Sequence, residues 1–320
     1  MSISITAVTL SVATVVGGGS LTATIHLNAV PTFDVVASVA ILPAGDVALA
    51  PKTVTIPKGS QTGSFSITTA ALTAEATAIV NANYNTTEQA SFTITPAPKP
   101  TFVDDFDSGT LNKANWIVSN WTSYNYGGAG SDVTFTSSNI DLSQGMLRME
   151  LNVPTATAST GAEIQSKQTF GYGTYETVMR MASTSATANG AGGTVSGSDS
   201  SIFSYINNSE SEIDTEFCAN TPGIINYTNW DTLAKNQATW PASANLAAGF
   251  HDYKMVWAPG QIQWYIDGVL LATHTQNVPS TPAYIMFNFW GTNSKSWGGL
   301  ATPGVTRYFY VKSVSFTPAS

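Results

Sequence analysis

Glu212-Ile213-Asp214-Thr215-Glu216-Phe217 alternates without a break, with carboxylates at 212, 214 and 216 and Ile213, Thr215 and Phe217 between them. A period of two is that of a β-strand, whose successive side chains point to opposite faces. The hexapeptide therefore predicts a strand with three acids on one face and an apolar or β-branched set on the other. Neighbouring like charges oppose one another's ionisation and raise at least one pKa, so a strand kept only for structure gains nothing from the pattern. The plain alternative is a solvated outer face of a two-layer sheet. Even spacing, the absence of Lys or Arg between the acids, and the scarcity of charge elsewhere favour a site.

That scarcity is general. Charged residues make up 10% of the 320-residue chain, far below the roughly 25% of an average soluble protein, and Ser, Thr, Asn, Ala and Gly take their place. With 8 Trp and 12 Tyr, the composition suits a β-rich protein that meets neutral polar surfaces such as sugars. A net charge of -8 with no run of Lys or Arg argues against a nucleic acid partner. The apolar stretches are too short for a transmembrane helix, and nothing points to a membrane. Met1-Ser2-Ile3-Ser4 does not open a secretory signal, so an extracellular or secreted location implies a leader already removed or release by lysis, with a virion as one setting. Cys218 is the one cysteine; no internal disulfide or thiolate zinc site can form, and it reads as a small buried strand residue. His26, His251 and His274 have no metal-binding spacing, and no cofactor is expected.

Working outward, residues 1–95 break into about seven short alternating segments: Ile5 to Val16, Leu21 to Leu27, Val35 to Ile41, Val54 to Ile56, Gly63 to Thr68, Ala76 to Ala82 and Ala90 to Ile94. Such spacing predicts an immunoglobulin-like β-sandwich, a spacer or a module for attachment to a cell surface or virion. Pro96-Ala97-Pro98-Lys99-Pro100 is a stiff linker over 96–100. Residues 101–320 are again nearly all strand, with Asp267-Gly268 as a hairpin turn, and predict a concave antiparallel jelly roll. Between strands, Ser183 to Ser200 lacks apolar periodicity and reads as a mobile loop bordering the acids or as a neutral insertion.

Hydrolysis of a glycosidic bond needs one carboxylic acid to protonate the leaving oxygen and one carboxylate to attack the anomeric carbon or activate water. On a flat strand, residues four apart are separated by about 13 Å at the backbone, so Glu212 and Glu216 meet at one bond only if the sheet curves and both side chains lean inward.

Glu212-Ile213-Asp214-Thr215-Glu216 resembles the Glu-x-Asp-x-Glu signature of glycoside hydrolase family 16. Gly171-Tyr172-Gly173-Thr174-Tyr175-Glu176, Gly249-Phe250-His251-Asp252-Tyr253, Trp264-Tyr265-Ile266-Asp267-Gly268 and Ile285-Met286-Phe287-Asn288-Phe289-Trp290 resemble bacterial lichenase segments in the same order, over most of 101–320. The resemblance implies an endo-acting retaining hydrolase of a β-linked polysaccharide such as β-1,3-1,4-glucan. Glu212 would be the nucleophile, Glu216 the general acid and base, and Asp214 the residue sharing a proton between them. It also implies sugar contacts from Trp290, Trp297, Asn288, Tyr124, Glu163, Phe203, Tyr205 and Asn226. A transglycosylase, and a phage or surface protein that depolymerises or only binds bacterial exopolysaccharide, are the competing readings. The chain departs from the lichenase pattern at Glu210-Ser211, where those enzymes carry Trp-Asp, and at Gln165, where they carry Arg. The family's structural calcium depends on an Asp whose position here is Phe309, so little or no calcium binding is expected.

Overall fold

The computed structural model describes residues 2–43, 47–128, 131–242 and 244–319. It divides into two compact units between Pro98 and Lys99.

The N-terminal unit holds β1 (Ile5–Leu10), β2 (Thr14–Val16), β3 (Ser20–Leu27), β4 (Val35–Leu42), β5 (Ala48–Leu49), β6 (Thr53–Ile56), β7 (Thr62–Thr69), β8 (Ala76–Tyr84) and β9 (Thr86–Thr95). One sheet runs β1-β3-β7-β5 and the other β2-β9-β8-β4-β6. Residues 5 to 16, expected as a single strand, are two: β1 lies antiparallel to β3, whereas β2 lies parallel to β9 in the other sheet. The bonds Ser11 N to Thr22 O and Thr93 N to Ala13 O mark the crossing, which gives each sheet an edge strand. Alternation here is clean: in β4, Val35 and Ala37 are buried while Val36 is 53% exposed. The inward set, including Ile25, Ile56, Ile67, Val80 and Ile94, forms one apolar core.

The C-terminal unit is a jelly roll built from β10 (Phe102–Asp104), β11 (Trp116–Val118), β12 (Trp121–Ser123), β13 (Asp132–Phe135), β14 (Ile140–Asp141), β15 (Leu147–Thr155), β16 (Ala158–Phe170), β17 (Gly173–Ser183), β18 (Ser198–Ile206), β19 (Ser211–Cys218), β20 (Ile224–Asp231), β21 (Ala234–Pro241), β22 (His251–Ala258), β23 (Gln261–Ile266), β24 (Val269–His274), β25 (Ala283–Gly291) and β26 (Arg307–Pro318). No α-helix occurs among the described residues. One sheet is ordered β15-β26-β17-β22-β23-β24. The second is ordered β16-β25-β18-β19-β20-β21. The two join where β15 pairs with β16. Between them lies a core that includes Trp257, Trp264, Phe287, Phe217 and Ile213. Asp267 and Gly268 both have positive φ, 51° and 77°, as a two-residue hairpin turn of the kind the sequence predicts requires.

The segment read as a mobile loop is shorter and better anchored than expected. Ser183 closes β17 and Ser198 opens β18. Arg180, wholly buried, donates from Nε to Ala247 O, from Nη1 to Ala188 O and from Nη2 to Ser183 Oγ, all at 2.8 to 2.9 Å. Arg307 donates from Nη2 to Ser196 O at 2.8 Å and from Nε to Val195 O at 3.4 Å. Small residues without periodicity thus mark a segment held by its backbone carbonyls, for which apolar patterning is no guide.

Candidate active site

Register across the second sheet builds the site from β19 outward, because directly opposed residues share a face. Glu216 opposes Ser201 on β18 and Asn226 on β20. Ser201 in turn opposes Asn288 on β25, which opposes Glu163 on β16. Asp214 lies in the next row with Phe203 and Thr228, and Glu212 in a third with Tyr205, Trp230 and, on β21, Lys235. A fourth row, beyond Glu216, contains Cys218, Asp199 and Trp290. The opposite face of β19 puts Ile213 and Phe217 into the core.

This acid face is covered although it lies away from the core. Asp214, Glu163, Asn226 and Asn288 are all 4 to 6% exposed. Tyr126 packs on Trp290 with ring centroids 4.7 Å apart, and Trp290 and Trp297 share a small apolar cluster with Val133 and Phe135. Tyr126 keeps 45% of its surface exposed, and partial burial, together with the charges of Glu163, Asp199, Glu216 and Glu212, raises its hydroxyl pKa.

The structure does not bring Tyr124 to them. Asn125 has φ of 59°, and this left-handed residue separates an exposed Tyr124 from the Tyr126 that faces Trp290. The other seven contacts expected from the resemblance, Trp290, Trp297, Asn288, Glu163, Phe203, Tyr205 and Asn226, lie on the acid face or at its rim.

The three acids sit in unequal surroundings. Glu212 accepts a short hydrogen bond from Ser209 Oγ. Burial raises its pKa, while donors on Ser209 and Asp214 and the Lys235 charge pull it back down. Asp214 is held well above the carboxylate range by burial and then by the charges of Glu212 and Glu216, and it serves as the proton donor to Glu212. Glu216 is also held well above it, by burial and then by the charges of Asp199 and Glu212, with only Lys235 opposing. All three are raised, Asp214 and Glu216 further than Glu212, so Glu212 is the member best equipped to be ionised.

Ser209 reaches Glu212 through an unusual turn. Asn207, Asn208 and Ser209 have φ of 50°, 56° and 62°, and left-handed conformations cost non-glycine residues roughly 1 kcal/mol or more each. Glu210, at the lichenase Trp position, is tied into the same turn by Asn207 Nδ2 at 2.9 Å and by Thr281 Oγ1 at 3.1 Å. Glu163 accepts from Ser119 Oγ at 2.5 Å, and Ser201 Oγ donates to Asn288 Oδ1 at 2.5 Å.

Sequence reasoning passed over Asp199, Ser209, Tyr126 and Lys235. Asp199 carries no apolar signal: β18 begins at Ser198, and its first four residues, Ser198-Asp199-Ser200-Ser201, are all polar. Phe309, the position corresponding to the family's calcium-binding Asp, is fully buried against Phe287 and Phe289. An apolar ring there does not fit a hard cation, which takes oxygen ligands. Among the described residues no group of three or more His, Cys, Asp or Glu is placed to hold a metal.

A polar face on one sheet of a jelly roll, with three carboxyls in successive rows of a single strand, is the arrangement a glycoside hydrolase needs. Comparison with known proteins makes the class specific: the model of glycosyl hydrolases family 16 matches residues 127–305. The beta-glucanase of Paenibacillus polymyxa is 32% identical over 219 residues, covering 66% of this chain and 84% of that one. An endo-1,3-1,4-beta-glycanase of Rhizobium meliloti is 29% identical, covering 68% and 79%. Among solved structures, the Bacillus licheniformis beta-glucanase superposes with a TM-score of 0.59 at 27% identity, covering 69% of this chain and 99% of that one. The chain belongs to glycoside hydrolase family 16.

Proposed function

We propose that the protein is an endo-acting, retaining β-glucan hydrolase whose chemistry is carried by Glu212, Asp214 and Glu216. Glu212, ionised and oriented by Ser209, attacks the anomeric carbon while Glu216 gives its proton to the leaving glycosidic oxygen. A covalent glycosyl–enzyme results. Glu216, now a carboxylate, takes a proton from water, which attacks the same carbon and releases Glu212 with net retention. Asp214 shares its proton with Glu212 and so moderates the charge on the nucleophile as the ester forms and breaks. Trp297, Tyr205 and Phe203 offer ring faces for pyranose stacking, Trp290 beneath Tyr126 backs them at one end, and Asn226, Asn288 and Glu163 offer hydrogen bonds to hydroxyls. The observation that carries this reading is the placement of Glu212, Asp214 and Glu216 in successive rows on one face of β19, with Ser209 bonded to Glu212 and Ser201 and Asn226 opposite Glu216. The beta-glucanase names of the relatives support a β-linked glucan.

The N-terminal unit is proposed as an immunoglobulin-like spacer or attachment module. The site of action is proposed to be outside the cell, where polymeric glucans lie.

Incubation with lichenan, barley β-glucan, laminarin, xyloglucan and a bacterial exopolysaccharide, following reducing ends, product lengths and the anomer first released, tests the proposal. Oligomeric products of retained configuration from a β-glucan, lost in Glu212→Gln, are expected. Binding without any cleavage, or a first product of inverted configuration, would overturn it.

A further inference from the structure

A fourth carboxylate lies against the three and has no part in the reaction as described. Asp199, the second residue of β18, opposes Cys218 in register and is therefore the diagonal neighbour of Glu216 on the same face, about 7–8 Å away between backbones. It is fully buried. Its Oδ2 accepts from the Cys218 thiol at 3.1 Å, while Oδ1 is buried without a well-formed hydrogen bond; the Trp297 side chain, close by, acts as a further donor that lowers its pKa. Among the described residues it forms no ion pair. A buried acid with this little support is costly to fold, and its strand neighbours Ser198 and Ser200 are equally buried without charge.

The Cys218 sulfur also accepts from Asn226 Nδ2 at 3.4 Å, and Asn226 opposes Glu216 on β20. The chain Asn226, Cys218, Asp199 thus runs past Glu216 on one side of its row. We infer that Asp199 is a positioning residue for Glu216: its negative charge, held by the Cys218 thiol, keeps the proton on the Glu216 carboxyl until the leaving oxygen takes it. This rests on the assignment of Glu216 as general acid.

The electrostatics agree in sign. Burial raises Asp199 only to about 6, with Cys218 and Trp297 holding it down, so it is charged at neutral pH. After burial, its charge is the largest influence raising Glu216. The remaining ionisable groups around Glu216 are Glu212 and Asp214 on its own strand, Lys235 on β21, Glu163 on β16, Cys218 beside it and Tyr126 above. Only Lys235 draws its proton off. Below about pH 6 Asp199 is neutral and the effect vanishes; above it, Glu216 is held protonated to higher pH.

The test is the pH profile of kcat/KM of the full chain on a β-glucan, whose basic limb reports the acid of the free enzyme. In Asp199→Asn the basic limb moves to lower pH by about one unit, the acidic limb moves less, and the melting transition stays cooperative. Cys218→Ala, which removes the donor to Asp199, shifts the limb the same way by less, and Cys218→Ser restores it. A basic limb unmoved in a folded Asp199→Asn overturns the inference. If that variant does not fold, equal limbs in Cys218→Ala and Cys218→Ser overturn it. Glu216→Gln distinguishes the underlying reading: if it cleaves polymer as fast as wild type, Glu216 is not the acid, whatever Asp199 does.

Discussion

The two units use the same secondary structure in opposite ways. In the N-terminal sandwich each strand buries one face and gives the other to water, as in β4 and β7. In the sheet that carries the acids, β25 buries both faces and β19 does so except at the partly exposed Glu212 and Glu216, and the second face is filled with Asp199, Ser201, Asp214, Asn226 and Asn288. Covering polar groups on the side away from the core costs stability, and the N-terminal strands avoid that cost. A doubly buried strand whose second face is polar therefore marks function, while a singly buried one marks scaffold.

The comparison breaks first at the acids. Glu212→Gln should lower kcat on β-glucan by about 10³-fold or more, and Glu216→Gln by roughly 10²–10⁴-fold. The second loss should shrink on an activated aryl glycoside, whose leaving group needs no proton. By contrast Phe92→Ala, in the N-terminal core and 2% exposed, should destabilise that unit by about 3–5 kcal/mol while leaving kcat on soluble substrate unchanged. A fall in kcat would show that the units are coupled.

Stability should follow pH in opposite senses to a protein held by ion pairs. Asp214 and Glu216 have folded pKa values raised above their unfolded ones, so between the two values the native state binds more protons. Stability is then fullest below the ordinary carboxylate pKa and declines as pH rises toward the folded values. Asp214→Asn should raise the melting temperature of the C-terminal unit by a few °C at pH 7 and leave it nearly unchanged at pH 4. Calorimetry at both pH values decides.

Smaller effects probe the turns that serve β19. Ser209→Ala removes a donor to Glu212 and should move the acidic limb of kcat/KM up by about half a unit, with little change in melting. Thr232 and Leu233 close the β20–β21 hairpin with φ of 49° and 68°, where Asn-Gly is the favoured pair. Substituting both, Thr232→Asn with Leu233→Gly, should stabilise by about 1 kcal/mol, read as a rise in urea midpoint.

Where one face of a strand is apolar and the other polar, the sequence was easily read. Alternation in Val35 to Ile41 and in Glu212–Phe217 identified strands, and Asp267-Gly268 identified its hairpin. It failed where both faces are polar or small: Ser198-Asp199-Ser200 has no apolar period, so β18 seemed to begin late and Asp199 went unseen. It failed also where backbone conformation decides direction, since nothing in Tyr124-Asn125-Tyr126 says which ring turns inward. Interactions that gather residues distant in the chain, such as Ser119 with Glu163 or Lys235 near Glu212, depend on register across several strands.

Arg180 and Arg307 grip the segment between β17 and β18 almost wholly through main-chain oxygens. Because a carbonyl is common to every residue, that grip is indifferent to which side chains the segment displays. The exposed positions Ala186, Asn189, Ala191 and Gly193 are thus places where new side chains can be tried, by selection or by an engineer, while the buried Ala188 and the close-packed Gly190 and Gly192 are not.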